Sequence, residues 1–285
     1  MEAHNFMKKA LFTLAIGNNP MYKAALHSFK HYAQKIGADL IVSDQLHYKI
    51  DIVDPKFNAS PAWTEKLRIG ELLKEYDRVL YVDSDIIIQP DARDIFEMYQ
   101  DLDTTYWLNE GLIKDRKADI SHICNVLGEQ NWPSEKNMLT YYNAGVILTS
   151  REAGLFEVTN LEELQRLCNE ISFYEQSYFN YCLHKHGFKH QGIDKTFNHM
   201  DMFGSDGYLE ADFIHYAGKG YAKTSRRRDV QFLKDFSAIY DGILPADEIK
   251  KLKDEAWQAY LQVIYKKYPL PNMLIKLFTE RFVPR

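Results

Sequence analysis

Cysteine is scarce in this chain of 285 residues, which has only Cys124, Cys168 and Cys182. An odd number with no metal-ligand spacing argues against a disulfide framework or a thiolate zinc site and fits a reducing, cytoplasmic compartment. A positive excess is also lacking. The formal charge is −5, so no global footprint for nucleic acid is expected, although basic residues cluster locally at 226–228. Long apolar runs are missing too. The opening MEAHNFMKKALFTLAIG holds an apolar stretch of about seven residues interrupted by Thr13, too short for a bilayer span or a signal peptide. A buried first strand accounts for it better. No internal repeat and no low-complexity linker appear.

Aromatic residues are abundant, with 19 Tyr and 16 Phe spread along the sequence. Clefts rich in such rings bind sugars or bases, but most rings serve core packing. Residues 10–16 form an apolar run that ends in turn formers at Gly17, Asn18, Asn19 and Pro20. Helical spacing follows at Ala25, Phe29 and Tyr32, closed by Gly37, and a second strand is expected at 39–42. Ser60 and Pro61 read as an N-cap and first turn of a helix reaching Tyr76. Strands are then expected at 78–82, 86–88, 105–108, 144–148 and 213–216, with helices near 161–171 and 175–186. Alternation of this kind predicts an α/β sandwich around a mostly parallel sheet. The simplest partition is a catalytic domain over 1–224 and a helical extension over 225–285 packed on it as one structural unit.

Asp83 and Asp85 interrupt a stretch that is otherwise apolar from Val79 to Ile88. Two carboxylates at a strand end in an open α/β sheet need compensation, and a hard divalent cation supplies it while leaving positions for diphosphate oxygens. A surface turn also carries Asp-x-Asp, so the apolar flanks are what point to a metal. Without a cation, two neighbouring like charges repel, and removing one is expected to ease the metal-free protein.

Four segments, in order, resemble the GT-A glycosyltransferases, and in particular glycosyltransferase family 8. They are YDRVLYVDSDIIIQP at 76–90, YYNAGVIL at 141–148, EQSYFN at 175–180 and FIHYAG at 213–218. The resemblance implies a GT-A, Rossmann-like α/β fold and an enzyme that moves a hexose from a nucleotide sugar, with UDP as the nucleotide, to a glycan or glycolipid acceptor with retention of configuration. It further implies Mn²⁺ or Mg²⁺ held by Asp83, Asp85 and His215. Asn143, Glu175 and Gln176 would place the transferred sugar or the acceptor, with Glu175 standing where the family usually has Asp. Ala15, Ile16, Gly17 and Tyr22 would hold the nucleotide base, and Lys66, Asp83, Ser84, Gly218 and Lys219 would hold the rest of the donor.

A departure follows Gly218. Where the family carries a lysine followed by Pro-Trp, this chain has Tyr221 and no such pair. Lys219, Lys223 or the basic run at 226–228 is then expected to meet the leaving diphosphate. Two other readings stay open on the residues alone. One is a haloacid-dehalogenase-type phosphatase, whose Asp-x-Asp also ends a strand. The other is a non-catalytic nucleotide-sugar-binding protein. In the tail, Trp257, Tyr260, Leu261, Ile264 and Tyr265 share helical spacing, and 269–282 mixes apolar and basic residues. That pattern suits packing on the catalytic domain or peripheral membrane contact.

Overall fold

A computed structural model describes residues 7–17, 19–56, 59–221 and 228–282, apart from the side chains of Val263 and Phe282. In chain order its main elements are β1 (Lys9–Leu14), α1 (Pro20–Ile36), β2 (Asp39–Ser43), α2 (Arg68–Leu72), β3 (Arg78–Val82), β4 (Ile86–Ile88), α3 (Ile95–Met98), β5 (Thr104–Asn109) and α4 (Lys117–Leu127). There follow β6 (Ser134–Glu135), β7 (Met138–Leu139), β8 (Tyr142–Ser150), α5 (Leu155–Val158), α6 (Leu161–Leu167), α7 (Tyr174–Lys185), β9 (Lys189–Gly192) and β10 (Phe213–His215). The chain closes with α8 (Arg228–Ile239), α9 (Ala246–Lys267) and α10 (Asn272–Phe282).

Two compact units emerge, the first made of 1–16, 33–83 and 93–197, the second of 17–32, 84–92 and 198–285. The first unit contains a six-stranded sheet in the order β2-β1-β3-β8-β5-β9. β1 runs parallel to β2 and β3, and β9 runs parallel to β5. Only β8 runs against its neighbours. The mostly parallel sheet expected from the alternation is therefore present. Every residue of β3 is buried, as suits a strand covered on both faces. Packed around the sheet are Phe12, Trp107, Ile147, Phe156 and Phe179, among others.

The segment before β3 differs from the expected continuous helix. Ser60 caps it as its sequence suggested, accepting from the Ala62 amide, but residues Pro61–Leu67 form a 3-10 helix before the short α2 begins. This tighter winding, with i and i+3 eclipsed, buries Thr64, Glu65, Lys66 and Leu67 together.

In the second unit, β4 pairs antiparallel with β10 so that Ile86 stands opposite His215. The Tyr216 amide then donates to the Asp85 carbonyl at 2.9 Å. Helices α8 and α9 bury Phe232, Phe236, Tyr240, Trp257 and Leu261. Ion pairs Lys23–Glu255 at 2.8 Å and His27–Glu248 at 3.1 Å tie α9 to the first part of α1. Helices α8, α9 and α10 belong to the same unit as β4 and β10.

Candidate functional site

In the first unit, a bulge in β8 creates the polar groups of interest. Pairing of β5 with β8 jumps from Trp107↔Ile147 to Leu108↔Asn143, so Ala144, Gly145 and Val146 drop out of that ladder, Val146 keeping its pairing with Val82 on β3. Their backbone groups find other partners. The Gly145 carbonyl accepts from the Asp83 amide at 2.8 Å, the Ala144 amide donates to Gln176 Oε1 at 2.9 Å, and the Ala144 carbonyl accepts from Lys66 Nζ at 3.0 Å. Helix α7 supplies Gln176 and, one turn on, Asn180, whose amide group pairs with both backbone groups of Tyr142 at 2.7 and 2.9 Å.

Gln176 and Asn143 are joined by Glu110, a buried carboxylate just after β5. Glu110 accepts from Asn143 Nδ2 at 3.2 Å, from Gln176 Nε2 at 3.1 Å and from Arg116 Nη2 at 2.5 Å. Its neighbour must be glycine, since a Cβ on Gly111 would meet the Leu139 carbonyl oxygen at 2.2 Å.

Lys66 is 3% exposed. Its ammonium lies 3.4 Å from Asp83 and 3.1 Å from Glu175. Burial works against this charge, but the two carboxylates more than offset it and raise the Lys66 pKa. Glu175 Oε2 is buried and has no hydrogen-bond donor among the described residues. Such an atom is costly unless a ligand hydroxyl or amide reaches it.

In the second unit, His215 Nε2 lies 3.1 Å from one oxygen of Asp85, and Arg228 Nη1 lies 3.6 Å from the other. Burial disfavours the Asp85 charge, yet His215 and then Arg228 pull its pKa down to about 2. Burial also opposes the Arg228 charge, and Asp85, Asp229 and Tyr22 together raise its pKa nonetheless. His215 Nδ1 donates to Asn198 Oδ1 at 2.8 Å, and Asn198 is fully buried. That bond commits Nδ1 and leaves Nε2 to act as a ligand, the usual support for a metal-binding histidine. Within this unit Asp85 and His215 offer a carboxylate oxygen and an imidazole nitrogen 3.1 Å apart, and Asp83 precedes Asp85 by two residues in the chain. A carboxylate and an imidazole, with a second carboxylate two residues away in sequence, are donors of the kind that suit a hard divalent cation and leave coordination positions for a substrate.

The family model for glycosyl transferase family 8 matches residues 7–222. The chain belongs to glycosyl transferase family 8. Among solved structures, the galactosyltransferase LgtC in complex with donor and acceptor sugar analogs is similar at a TM-score of 0.54 and 16% identity, over 82% of this chain and 100% of that one. An active-site mutant of LgtC gives 0.50 and 14%, over 80% and 95%. Mouse xyloside xylosyltransferase 1 in its apo form gives 0.47 and 13%, over 75% and 99%. No curated protein matches the chain. The fold is GT-A, and this family 8 chain is a glycosyltransferase. The phosphatase and the non-catalytic binding readings are set aside with it.

The other residues singled out in the family 8 sequence fall as follows. Ala15 and Ser84 are buried, Ile16 and Tyr22 are half-buried, and Gly17 is exposed with φ +100°. Gly218, with φ +61°, and Lys219 are exposed on the turn after β10. Lys223, Arg226 and Arg227 lie outside the described residues. Sequence reasoning missed Glu110 and Asn198. Neither sits in a motif, and only the fold brings Glu110 to Gln176 or Asn198 to His215.

Proposed function

We propose that this glycosyltransferase transfers a hexose from a UDP-sugar, with retention of anomeric configuration, to a glycan or glycolipid acceptor and depends on Mn²⁺ or Mg²⁺. The observation that carries the reading is the His215 imidazole. Its Nδ1 is committed to Asn198 and its Nε2 is turned to Asp85, the preparation a metal ligand needs. Asp83, Asp85 and His215 would hold the ion. When bound it would offset the charge developing on the departing diphosphate.

The remaining residues bind and orient. The Glu175 oxygen that lacks a donor is suited to accept from a hydroxyl of the transferred sugar, and Lys66, held against Glu175 and Asp83, fixes the direction of both carboxylates. Asn143 and Gln176 hold one another through Glu110. This brace favours a role in fixing the bulged β8 backbone at the sugar. Ala15, Ile16, Gly17 and Tyr22 would receive the base, and Ser84, Gly218 and Lys219 the rest of the donor. In this reading residues 1–224 carry the transfer, and the helices of 225–285 support it.

Among the described residues no helix is long and apolar enough to cross a membrane. We place the protein in the cytoplasm, with α10 touching a membrane surface, because Leu270, Met273, Leu277 and Phe278 are more than half exposed.

The test of the donor reading is nucleotide release by the pure protein with Mn²⁺ and a panel of nucleotide sugars. Release from a UDP-hexose that stops with chelator supports it, and equal release without metal contradicts it.

A further inference from the structure

The position where a family lysine is expected holds no cation. Tyr221 stands there, stacked on Tyr208 with ring centroids 3.9 Å apart and donating its hydroxyl to the His199 carbonyl at 2.6 Å. It is a neutral wedge under the turn. Among the described residues, the cation that reaches Asp85 in this unit is Arg228, the first residue of α8. Its guanidinium shares the Asp85 carboxylate with His215 and also meets Asp229 Oδ1 through Nε at 3.2 Å.

Arg228 is held there by the helix that carries it. Asp235 Oδ2 accepts from the hydroxyls of Tyr208 and Tyr216, each at 2.7 Å, and Oδ1 accepts from Gln231 Nε2 at 2.7 Å. Tyr216 directly follows His215. Arg228 and Asp235 are two helical turns apart and so share one face. The anchor that ties α8 to the residue after His215 therefore also sets Arg228 over Asp85.

We propose that Arg228 binds the diphosphate of the donor, and that Asp85 holds it in reserve until a divalent cation takes the carboxylate. The proposal rests on the metal and nucleotide-sugar reading above. A cation bound to Asp85 removes the guanidinium's partner and repels it. Diphosphate oxygens arriving beside that cation offer a better one, because a guanidinium can grip two oxygens at once. Metal alone leaves Arg228 with Asp229 as its one remaining anion among the described residues, whereas metal with nucleoside diphosphate gives it a second. The two ligands then bind with positive coupling.

The experiment titrates the full-length protein with Mn²⁺ alone, with UDP at saturating Mn²⁺, and with uridine, which lacks the diphosphate. Arg228→Gln is expected to weaken UDP binding by about tenfold to a hundredfold, to leave uridine binding unchanged, and to bind Mn²⁺ alone as tightly as wild type or more so. Arg228→Lys should recover part of the UDP affinity. Wild-type UDP affinity in Arg228→Gln would overturn the proposal, as would an equal loss for UDP, uridine and Mn²⁺. If the wild-type protein itself bound neither Mn²⁺ nor UDP, the underlying donor reading would fail and take this assignment with it.

Discussion

Asp83 and Asp85 lie two residues apart, yet each has its own cation, Lys66 at 3.4 Å for the first and Arg228 at 3.6 Å for the second. The sequence suggested two like charges in need of relief, so that Asp85→Asn would ease the metal-free protein. With these pairs in place the balance changes. Asp85→Asn leaves His215 and Arg228 one neutral acceptor oxygen in place of a shared carboxylate and should lower metal-free stability by roughly 1–2 kcal/mol. Lys66→Met should cost more, about 3 kcal/mol, because it leaves Glu175 buried beside Asp83 with no cation. Thermal melting in chelator reads both, and a higher melting temperature for either variant would contradict this account. Lys66 was legible as a basic residue ahead of the metal strand. Its burial was not, because that follows from the 3-10 winding of Pro61–Leu67 and from the distant Glu175.

At the scale of elements, α7 is docked on the bulge of β8 through Gln176 and Asn180, and Glu110 closes the arrangement. Glu110→Ala would leave Arg116 buried beside Asn143 and Gln176 without its strongest acceptor. It should destabilise the protein by about 3–5 kcal/mol, measured by urea unfolding, and a loss below 1 kcal/mol would mean the brace is slack. The end of α7 also carries a pH-dependent feature. Burial and the neighbouring His190 push the His184 pKa down to about 3, whereas a free imidazole titrates near 6.5. Between these values the unfolded chain binds more protons than the folded one, so stability falls as pH falls from about 6.5 towards 3, by up to ~1.4 kcal/mol per pH unit. Melting curves at pH 7 and 5.5 should show this loss, and His184→Gln should flatten it. An unchanged slope in the variant would remove His184 from the account.

The strand positions were readable because short apolar runs are bounded by turn formers, as at 78–82 and 213–216. The reversed β8 was not. An apolar strand such as YNAGVIL looks the same in either direction, and its orientation depends on the chain between α4 and β8. Motif residues were legible for the same local reason, whereas Glu110, Asn198 and the anchor Asp235 act through contacts distant in sequence.

For the whole molecule, the tail separates into two behaviours. In α9, Trp257, Leu261 and Ile264 are buried, while in α10 Ile275 and Thr279 are buried and Met273 and Phe278 are 72% and 60% exposed. Packing thus accounts for α9 and leaves an apolar face on α10. Flotation with anionic liposomes should be stronger for the full chain than for one ending at Tyr268, and equal flotation would rule the tail out as the contact. The catalytic reading stands apart from that result. Its most direct test pairs thermal melting, with and without Mn²⁺ plus UDP, with nucleotide release by wild type and His215→Ala. Wild type should gain stability from the two ligands by mass action and release nucleotide, while His215→Ala should stay folded, gain little and lose most turnover. Near-normal turnover with an undiminished ligand-induced shift in His215→Ala would make His215 a core histidine and contradict the metal site.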